Sequence, residues 1–455
     1  MQRTTRWSAA FAAVALCAGL AGCGSGHSAS GGPAVTAAPR PTSTAVIPPT
    51  TYPDPFTGAR DAAGQMPAFA QSLATGLDAA ASTSGDPGSR AAGVRARLTQ
   101  LFVEHVYLEG MLAAAVNYKG ENDALTKTVQ TAVDANAKAL AKVLSSLGVT
   151  PSGAATSAPV PTPAATDAGD STDDNGDRTS SDFLTGWRAH DADLLDFAVA
   201  AKERIKADED HVRDNLGDWS LATSHALKSL AGGKLRSSDV RYVLDKYTEA
   251  LTDAMESLAK QNDKGYDQLR KAAANAETVA ATLARGFTRR DAANGNSDDD
   301  ASALRGRETY LLTEHVWLTD TEVMAAWTHI KDGAETSADA KAAALALDDN
   351  SKDLAASLSD VASPRQQFTF LTGWRTQVNT VLDYTAAVRA ADTRRADAQV
   401  AAMDAYRNTA GSFFAEITDQ KLSASTVAVA LSNLIATLTG SIQALAAALL
   451  PAAGT

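Results

Sequence analysis

Three histidines and one glutamine lie in repeated strings of this chain and have side chains that could bind a metal or form buried hydrogen bonds. His105 lies in the string LFVEHVYL, which returns as LLTEHVWL around His315. His190 lies in FLTGWRAH, which returns as FLTGWRTQ, so Gln377 takes its place in the second match. Imidazole nitrogens bind transition metals and also form buried hydrogen bonds. The pattern therefore allows either a metal site or a buried polar pair that sets helix register.

Gln377 favours the polar-pair interpretation, because glutamine hydrogen-bonds like a neutral histidine but is a poor transition-metal ligand. The alternative is a metal or haem site in the first copy, with His105 and His190 as ligands. A role of these histidines in small-molecule binding or pH sensing is a third interpretation. No cofactor is predicted.

Three acidic residues are candidate oxygen ligands for that alternative: Glu104, Glu109 and Asp193. Di-metal helical bundles place a glutamate three residues before a histidine. Here Glu104 directly precedes His105, and adjacent side chains on a helix point about 100° apart. The spacing of a ferritin-like metal site is therefore absent.

Motifs of several enzyme classes are missing from the sequence. It contains no Gly-x-Ser-x-Gly string, no His-Glu-x-x-His string and no glycine-rich phosphate loop. Catalysis needs positioned groups with shifted pKa values, and the only duplicated polar pair is glutamate followed by histidine. The sequence predicts a protein that is not an enzyme.

The elements that must position these residues are predicted to be helices. Apolar residues recur at spacings of three and four, as in Leu98, Leu101, Leu108 and Leu112. The two matched strings have offsets of 210 residues (His105 to His315) and 187 residues (His190 to Gln377), which indicates an internal repeat with two copies. The predicted fold is all-α, with two tandem antiparallel bundles of four to five helices each.

The predicted boundaries follow from composition. Residues 1–22 form a lipoprotein signal peptide, 23–58 a disordered tether, 59–265 the first bundle and 266–450 the second. A Pro-, Ser- and Asp-rich stretch at about 150–181 reads as a disordered insertion. The two bundles are each long enough to hold a separate core, and a helix near Tyr266–Gly286 joins them.

The leader ends in Leu-Ala-Gly followed by Cys23, which resembles the lipobox of bacterial lipoproteins. That resemblance implies cleavage before Cys23 and acylation of its thiol, and thus anchoring on the extracytoplasmic side of the cell membrane. An ordinary secretory leader with a chance cysteine is the alternative. The stretch from Ile442 to Leu450 is too short to span a bilayer. Cys17 would be lost with the leader.

The formal net charge of −12 and a pI near 5.1 argue against nucleic acid as a partner. The predicted partners are the membrane, through lipid on Cys23, and an unidentified envelope protein or small ligand.

The strings LTEHVWLTDTEVMAAW and FLTGWRTQVNTVLDYTAAV, with their first-copy partners, resemble a group of exported helical-bundle proteins of Gram-positive bacteria. Some members carry a copper amine oxidase-like label. The resemblance implies an envelope location and a helical bundle, and no amine oxidase chemistry. The predicted function is a non-enzymatic binding or scaffolding role in the envelope, with metal or haem binding at His105 and His190 as the alternative.

Overall fold

The computed structural model describes residues 48–148, 176–261, 263–288, 292–328 and 337–450. Within these ranges the chain forms twelve α-helices, one short 3₁₀ turn and no strand, which confirms the all-α prediction. The helices are α1 (Pro55–Ala81), α2 (Arg90–Lys119), α3 (Ala124–Gly148), α4 (Gly176–Glu203), α5 (Lys206–Leu230), α6 (Ser237–Ala259), α7 (Gly265–Thr288), α8 (Asp300–Thr328), α9 (Ala338–Ala356), α10 (Pro364–Arg389), α11 (Thr393–Ile417) and α12 (Ala424–Leu449).

Side-chain caps set where several helices begin. Asp54 accepts a hydrogen bond from the Thr57 backbone at the start of α1, and Pro55 occupies the first helical position. Ser363 and Gln366 form a reciprocal capping box at the start of α10. Such caps satisfy backbone N–H groups that have no partner within the helix.

Two helix boundaries carry no sequence signal. α4 and α5 are separated at Arg204, and α10 and α11 at Ala391, with φ values of 61° and 52°. Left-handed backbone is unfavourable for residues with a Cβ atom, and neither glycine nor proline marks the break. Within the described ranges each repeat therefore contains six helices, α1–α6 and α7–α12, instead of the predicted four to five.

The first helix of each repeat packs mainly on the other repeat. α1 lies against α8 and α12, whereas α7 lies against α2 and α6. The exchange is reciprocal at close glycine contacts: Gly76 of α1 packs directly on Leu422, and Gly286 of α7 packs directly on Leu235.

Polar contacts between the repeats are reciprocal too. Arg95 donates to the Ser297 carbonyl oxygen at 3.0 Å, and Arg305 donates to the Pro87 carbonyl oxygen at 2.9 Å. The buried apolar side chains of both repeats form one continuous cluster, and one compact unit spans Thr44–Thr455. The prediction of two tandem bundles with separate cores is therefore not confirmed, because the exchanged helices join the two interiors.

The other predicted segments lie only partly within the residues that the structure describes. The signal peptide and most of the tether, including Cys23, lie outside the described residues, as do 149–175 of the predicted insertion. Residues 176–181 of that insertion belong to α4.

One helix of the described ranges, α12, is long and apolar enough to cross a membrane. Its apolar window begins well before Ile442, where the sequence analysis placed the stretch. However, 61% of that window is buried inside the protein, where α12 packs against α1 and α11. Its apolar character is that of a core helix.

Candidate functional site

Helices α2, α4 and α6 bring five polar side chains together inside the first repeat. His105 and Glu109 lie one turn apart on α2, His190 and Asp191 lie on α4, and Tyr247 lies on α6. Both imidazoles and the Glu109 side chain are fully buried, and the Asp191 side chain is 12% exposed. We call these five residues the polar cluster.

Two hydrogen bonds orient His105. Its Nδ1 atom lies 2.5 Å from the Tyr247 hydroxyl oxygen, and its Nε2 atom lies 3.0 Å from Asp191 Oδ1. Glu109 Oε1 lies 3.7 Å from the same Nε2 atom. The Nε2 atom of His105 therefore faces two carboxyl groups, while Tyr247 holds the opposite side of the ring.

Several buried atoms of the polar cluster have no hydrogen-bond partner within the described part of the chain. They are both ring nitrogens of His190, both carboxyl oxygens of Glu109 and Asp191 Oδ2. More than nine in ten buried polar groups in proteins are hydrogen-bonded, so a group of orphans needs a specific explanation. One ligand atom from each of His105, His190 and Asp191 lies within 4.8 Å of the others.

Burial controls the protonation of these groups. Burial, with a smaller effect of His105, lowers the pKa of the His190 imidazole well below its usual range. Burial and the charge of Asp191 raise the pKa of Glu109 well above its usual range. Burial also raises the pKa of Asp191, against the opposing hydrogen bond from His105. At neutral pH His190 is uncharged and has a free lone pair.

Aromatic rings surround the imidazoles. The Trp219 ring stacks on His190 at a centroid distance of 3.9 Å, and Trp187 lies 5.3 Å from His105. The two imidazoles stack on each other at 5.5 Å with an interplanar angle of 22°. His105 and His190 thus share a buried aromatic environment without a direct hydrogen bond between them.

The second repeat does not reproduce the polar cluster. His315 Nδ1 pairs with Asn350 Oδ1 at 3.1 Å, and Gln377 Oε1 is a buried atom without a partner among the described residues. The 187-residue offset places Val378 opposite Asp191 and Leu434 opposite Tyr247. The 210-residue offset places Thr319 opposite Glu109. Of the five positions of the polar cluster, the second repeat keeps the residue type at one, because His315 corresponds to His105.

Glu104, a candidate ligand from the sequence, has a structural role instead. It accepts from Arg60 at 2.7 Å and from Asn136 at 3.0 Å. The second repeat contains the same arrangement, with Glu314 accepting from Arg270 at 3.1 Å and from Asn350 at 2.9 Å. The glutamate of each repeat therefore ties three helices together.

The structure brings together His105 and His190, the two ligands of the metal alternative, and places Glu109, one of the three candidate oxygen ligands, beside His105. Asp193 is not part of the polar cluster, because its carboxylate accepts from Asn215 at 3.3 Å. Asp191, the residue directly after His190, was not among the ligands predicted from the sequence. A signal was available, since the second repeat has Val378 there next to the substituted Gln377.

Comparison with protein families, with curated proteins and with solved structures finds no match to this chain.

Proposed function

We propose that this protein is a non-enzymatic metal-binding protein of the cell envelope, which holds one divalent transition-metal ion in the polar cluster. The observation that carries the proposal is the set of buried, unpartnered atoms of His190, Glu109 and Asp191 around His105 Nε2. A single cation would bind one ring nitrogen of His190 and carboxylate oxygens of Asp191 and Glu109, and would so give a partner to ligand atoms that have none within the described ranges. Its ligands would be His105 Nε2, one ring nitrogen of His190 and an oxygen of Asp191, which lie within 4.8 Å of one another, and the Glu109 carboxylate, 3.7 Å from His105 Nε2, would complete the set.

The spacing of the oxygen ligands around His105 Nε2 suits an ion of this class. Ligand atoms about 2.0–2.1 Å from a tetrahedral metal lie about 3.3 Å from each other. The distances from His105 Nε2 to Asp191 Oδ1 and to Glu109 Oε1, 3.0 Å and 3.7 Å, bracket that value. Two imidazoles with two carboxylates favour Zn²⁺ and its first-row neighbours over Ca²⁺ or Mg²⁺, which prefer oxygen ligands.

The same geometry argues against haem, the other part of the alternative. A haem held by two histidines lies between their rings, with the iron-binding nitrogens pointing at each other across it. Here the rings of His105 and His190 stack face to face at 5.5 Å, and Trp219 covers the other face of His190 at 3.9 Å. A porphyrin has no space between them.

Tyr247 fits a supporting role in such a site. Metal-bound histidines commonly use their second ring nitrogen to hydrogen-bond a neighbouring group, which sets the tautomer and the ring orientation. The Tyr247 hydroxyl lies 2.5 Å from His105 Nδ1, so Nε2 is left as the metal ligand. The second repeat has Leu434 at this position and lacks the other ligands as well.

The location in the envelope rests on the lipobox-like string before Cys23. Several acyl chains on one cysteine would hold the body at a membrane surface without a spanning helix. In this proposal the unidentified small ligand of the sequence analysis is the metal ion, and scaffolding of an envelope protein is not required.

The test measures metal content and affinity of the full chain by elemental analysis and isothermal titration with Zn²⁺, Cu²⁺, Mn²⁺ and Fe²⁺. We expect one ion per chain in the wild type. His190→Gln installs the residue that the second repeat carries at this position, so the fold should tolerate it. We expect it to lose at least about ten-fold in affinity, the size of effect known for changes around a metal site.

The matched control is His315→Gln, which alters the histidine that corresponds to His105 but lies outside the polar cluster. This variant should keep wild-type stoichiometry and affinity. A wild-type chain that binds none of the four ions, or equal losses in both variants, would contradict the proposal.

A further inference from the structure

A groove of about 580 Å³ runs between α1 and α12. Its walls contain no charged residue: they are formed by Gly64, Gln65, Met66, Ala68, Phe69 and Ser72 of α1 and by Ser425, Thr426, Val429, Ala430 and Asn433 of α12. Val429 is 58% exposed.

One end of this groove is already filled by the chain that precedes α1. Thr50 N–H donates to the Ala436 carbonyl oxygen at 3.0 Å, and the Thr50 carbonyl packs directly on Gly440. The Tyr52 ring packs on Gly58 at the start of α1. The segment therefore lies between the same two helices that form the groove.

The filled end and the open end share the same helix faces. At 100° per residue, Ser425, Val429 and Asn433 lie on the face of α12 that carries Ala436 and Gly440. By the same arithmetic, Gln65, Phe69 and Ser72 lie on the face of α1 that carries Gly58. The open groove is the continuation of the channel in which Thr50 and Tyr52 lie.

The chain before Thr50 has the chemistry and the direction to fill it. Thr50 contacts both residues of α12, with its carbonyl on Gly440 and its N–H on the Ala436 carbonyl oxygen, so its amino-terminal side faces Ala436, and the open groove lies further along that line. The residues before Thr50 read TAVIPP, Thr44 to Pro49, with no charge and two large aliphatic side chains.

Length also agrees. Val429 lies seven residues from Ala436, or about 10 Å along a helix at 1.5 Å per residue. An extended chain covers this distance in about three residues at roughly 3.1–3.3 Å each. Counting back three residues from Thr50 reaches Ile47, so Ile47 would lie beside Val429.

From these observations we infer that the end of the tether, Thr44–Ile47, docks in the α1–α12 groove and covers Val429. The free tether between membrane and body would then end near residue 43, and the direction in which the chain leaves the body would be set by α12. The corresponding space between α7 and α6 is bridged instead, because Asn275 Nδ2 donates to the Lys246 carbonyl oxygen at 3.0 Å.

The test is a disulfide trap in the full chain carrying Cys17→Ser and Cys23→Ser, which removes both native cysteines. Ile47→Cys with Val429→Cys should form an intramolecular disulfide under mild oxidation. The control pairs Val429→Cys with Val35→Cys, which changes a valine twelve residues further up the tether. We expect the first pair to close at least about ten-fold faster, because docking raises the effective concentration of the two thiols.

Equal rates for the two pairs would overturn the inference. A dimer linked through Val429→Cys alone would assign the groove to a second copy of the chain and would also overturn it. A second measurement tests docking in case the two cysteines cannot reach disulfide geometry. Ile47→Asp should lower the unfolding midpoint, whereas Val35→Asp should leave it unchanged. An unchanged midpoint in both aspartate variants would reject docking.

Discussion

Replacing His190 by leucine should stabilise the metal-free protein, which is the opposite of what a structural histidine would do. His190 is fully buried, and neither ring nitrogen has a hydrogen-bond partner in the described ranges. A buried polar group left unpaired destabilises a fold by about 1–3 kcal/mol. A leucine of similar size removes that penalty.

The gain is partly offset by the lost aromatic contact. The Trp219 ring stacks on His190 at 3.9 Å, and such a contact contributes about 0.5–1.5 kcal/mol. The net change expected for His190→Leu without metal is therefore a gain of about 1 kcal/mol in the free energy of unfolding. In the wild type, an ion present at 100 times its dissociation constant should add about 2.7 kcal/mol.

The assay is urea unfolding, followed by far-UV circular dichroism, with chelator and with saturating metal. The expected order of stability is metal-loaded wild type first, then His190→Leu in either condition, then metal-free wild type. If His190 instead holds helix register as a structural group, His190→Leu falls below metal-free wild type and metal changes neither protein. That order would refute the reasoning.

Three further changes have expected outcomes. Arg60→Met should lower the free energy of unfolding by about 3 kcal/mol, because it leaves the buried Glu104 carboxylate without its cation; urea unfolding measures this. Burial raises the pKa of the Asp320 carboxyl group from 3.8 to about 7. The free energy of unfolding should therefore be highest below about pH 4 and should fall as the pH rises through 7. In thermal unfolding, Asp320→Asn should show a flatter dependence of the unfolding temperature on pH. Gly76→Ala should destabilise by about 1–3 kcal/mol, because its new Cβ would lie 2.5 Å from Leu422 Cβ, as a denaturant midpoint would show.

Each of these changes has a control. Arg60→Met should leave metal affinity at the wild-type value, since Glu104 is not a ligand in the proposed site. For Asp320, an unchanged slope of stability against pH would show that its carboxyl group is not responsible. Gly217→Ala meets no atom within 4 Å and should stabilise α5 slightly, by up to about 1 kcal/mol. Equal effects of the two glycine substitutions would contradict the close contact at Gly76.

The helical character of the chain was predictable because it depends on local patterns. Apolar spacings of three and four and the scarcity of β-branched runs favour helices wherever the chain lies. The internal repeat was predictable as well, since the same sequence strings occur in both copies. The helix breaks at Arg204 and Ala391 were not, because a left-handed residue with a Cβ atom persists only where surrounding packing holds it.

The candidate site was predictable in part. His105, His190 and Glu109 were identified from the sequence, and they do converge. Asp191 was missed because an adjacent residue on a helix usually points away from its neighbour's partners, and only the packing of α4 against α2 brings its carboxylate to His105. Glu104 and Asp193 were equally plausible from the sequence until their actual partners were known.

The sequence by itself determined that the chain is helical, that its unit occurs in two copies, and which copy carries the second histidine. The tertiary structure alone decided how the copies combine. The first helix of each repeat, α1 or α7, has an apolar face that could pack on its own repeat or on the other one. The spacing of its apolar residues would be the same in both cases. The difference lies in contacts between residues hundreds of positions apart, such as Gly76 with Leu422, which no local periodicity encodes.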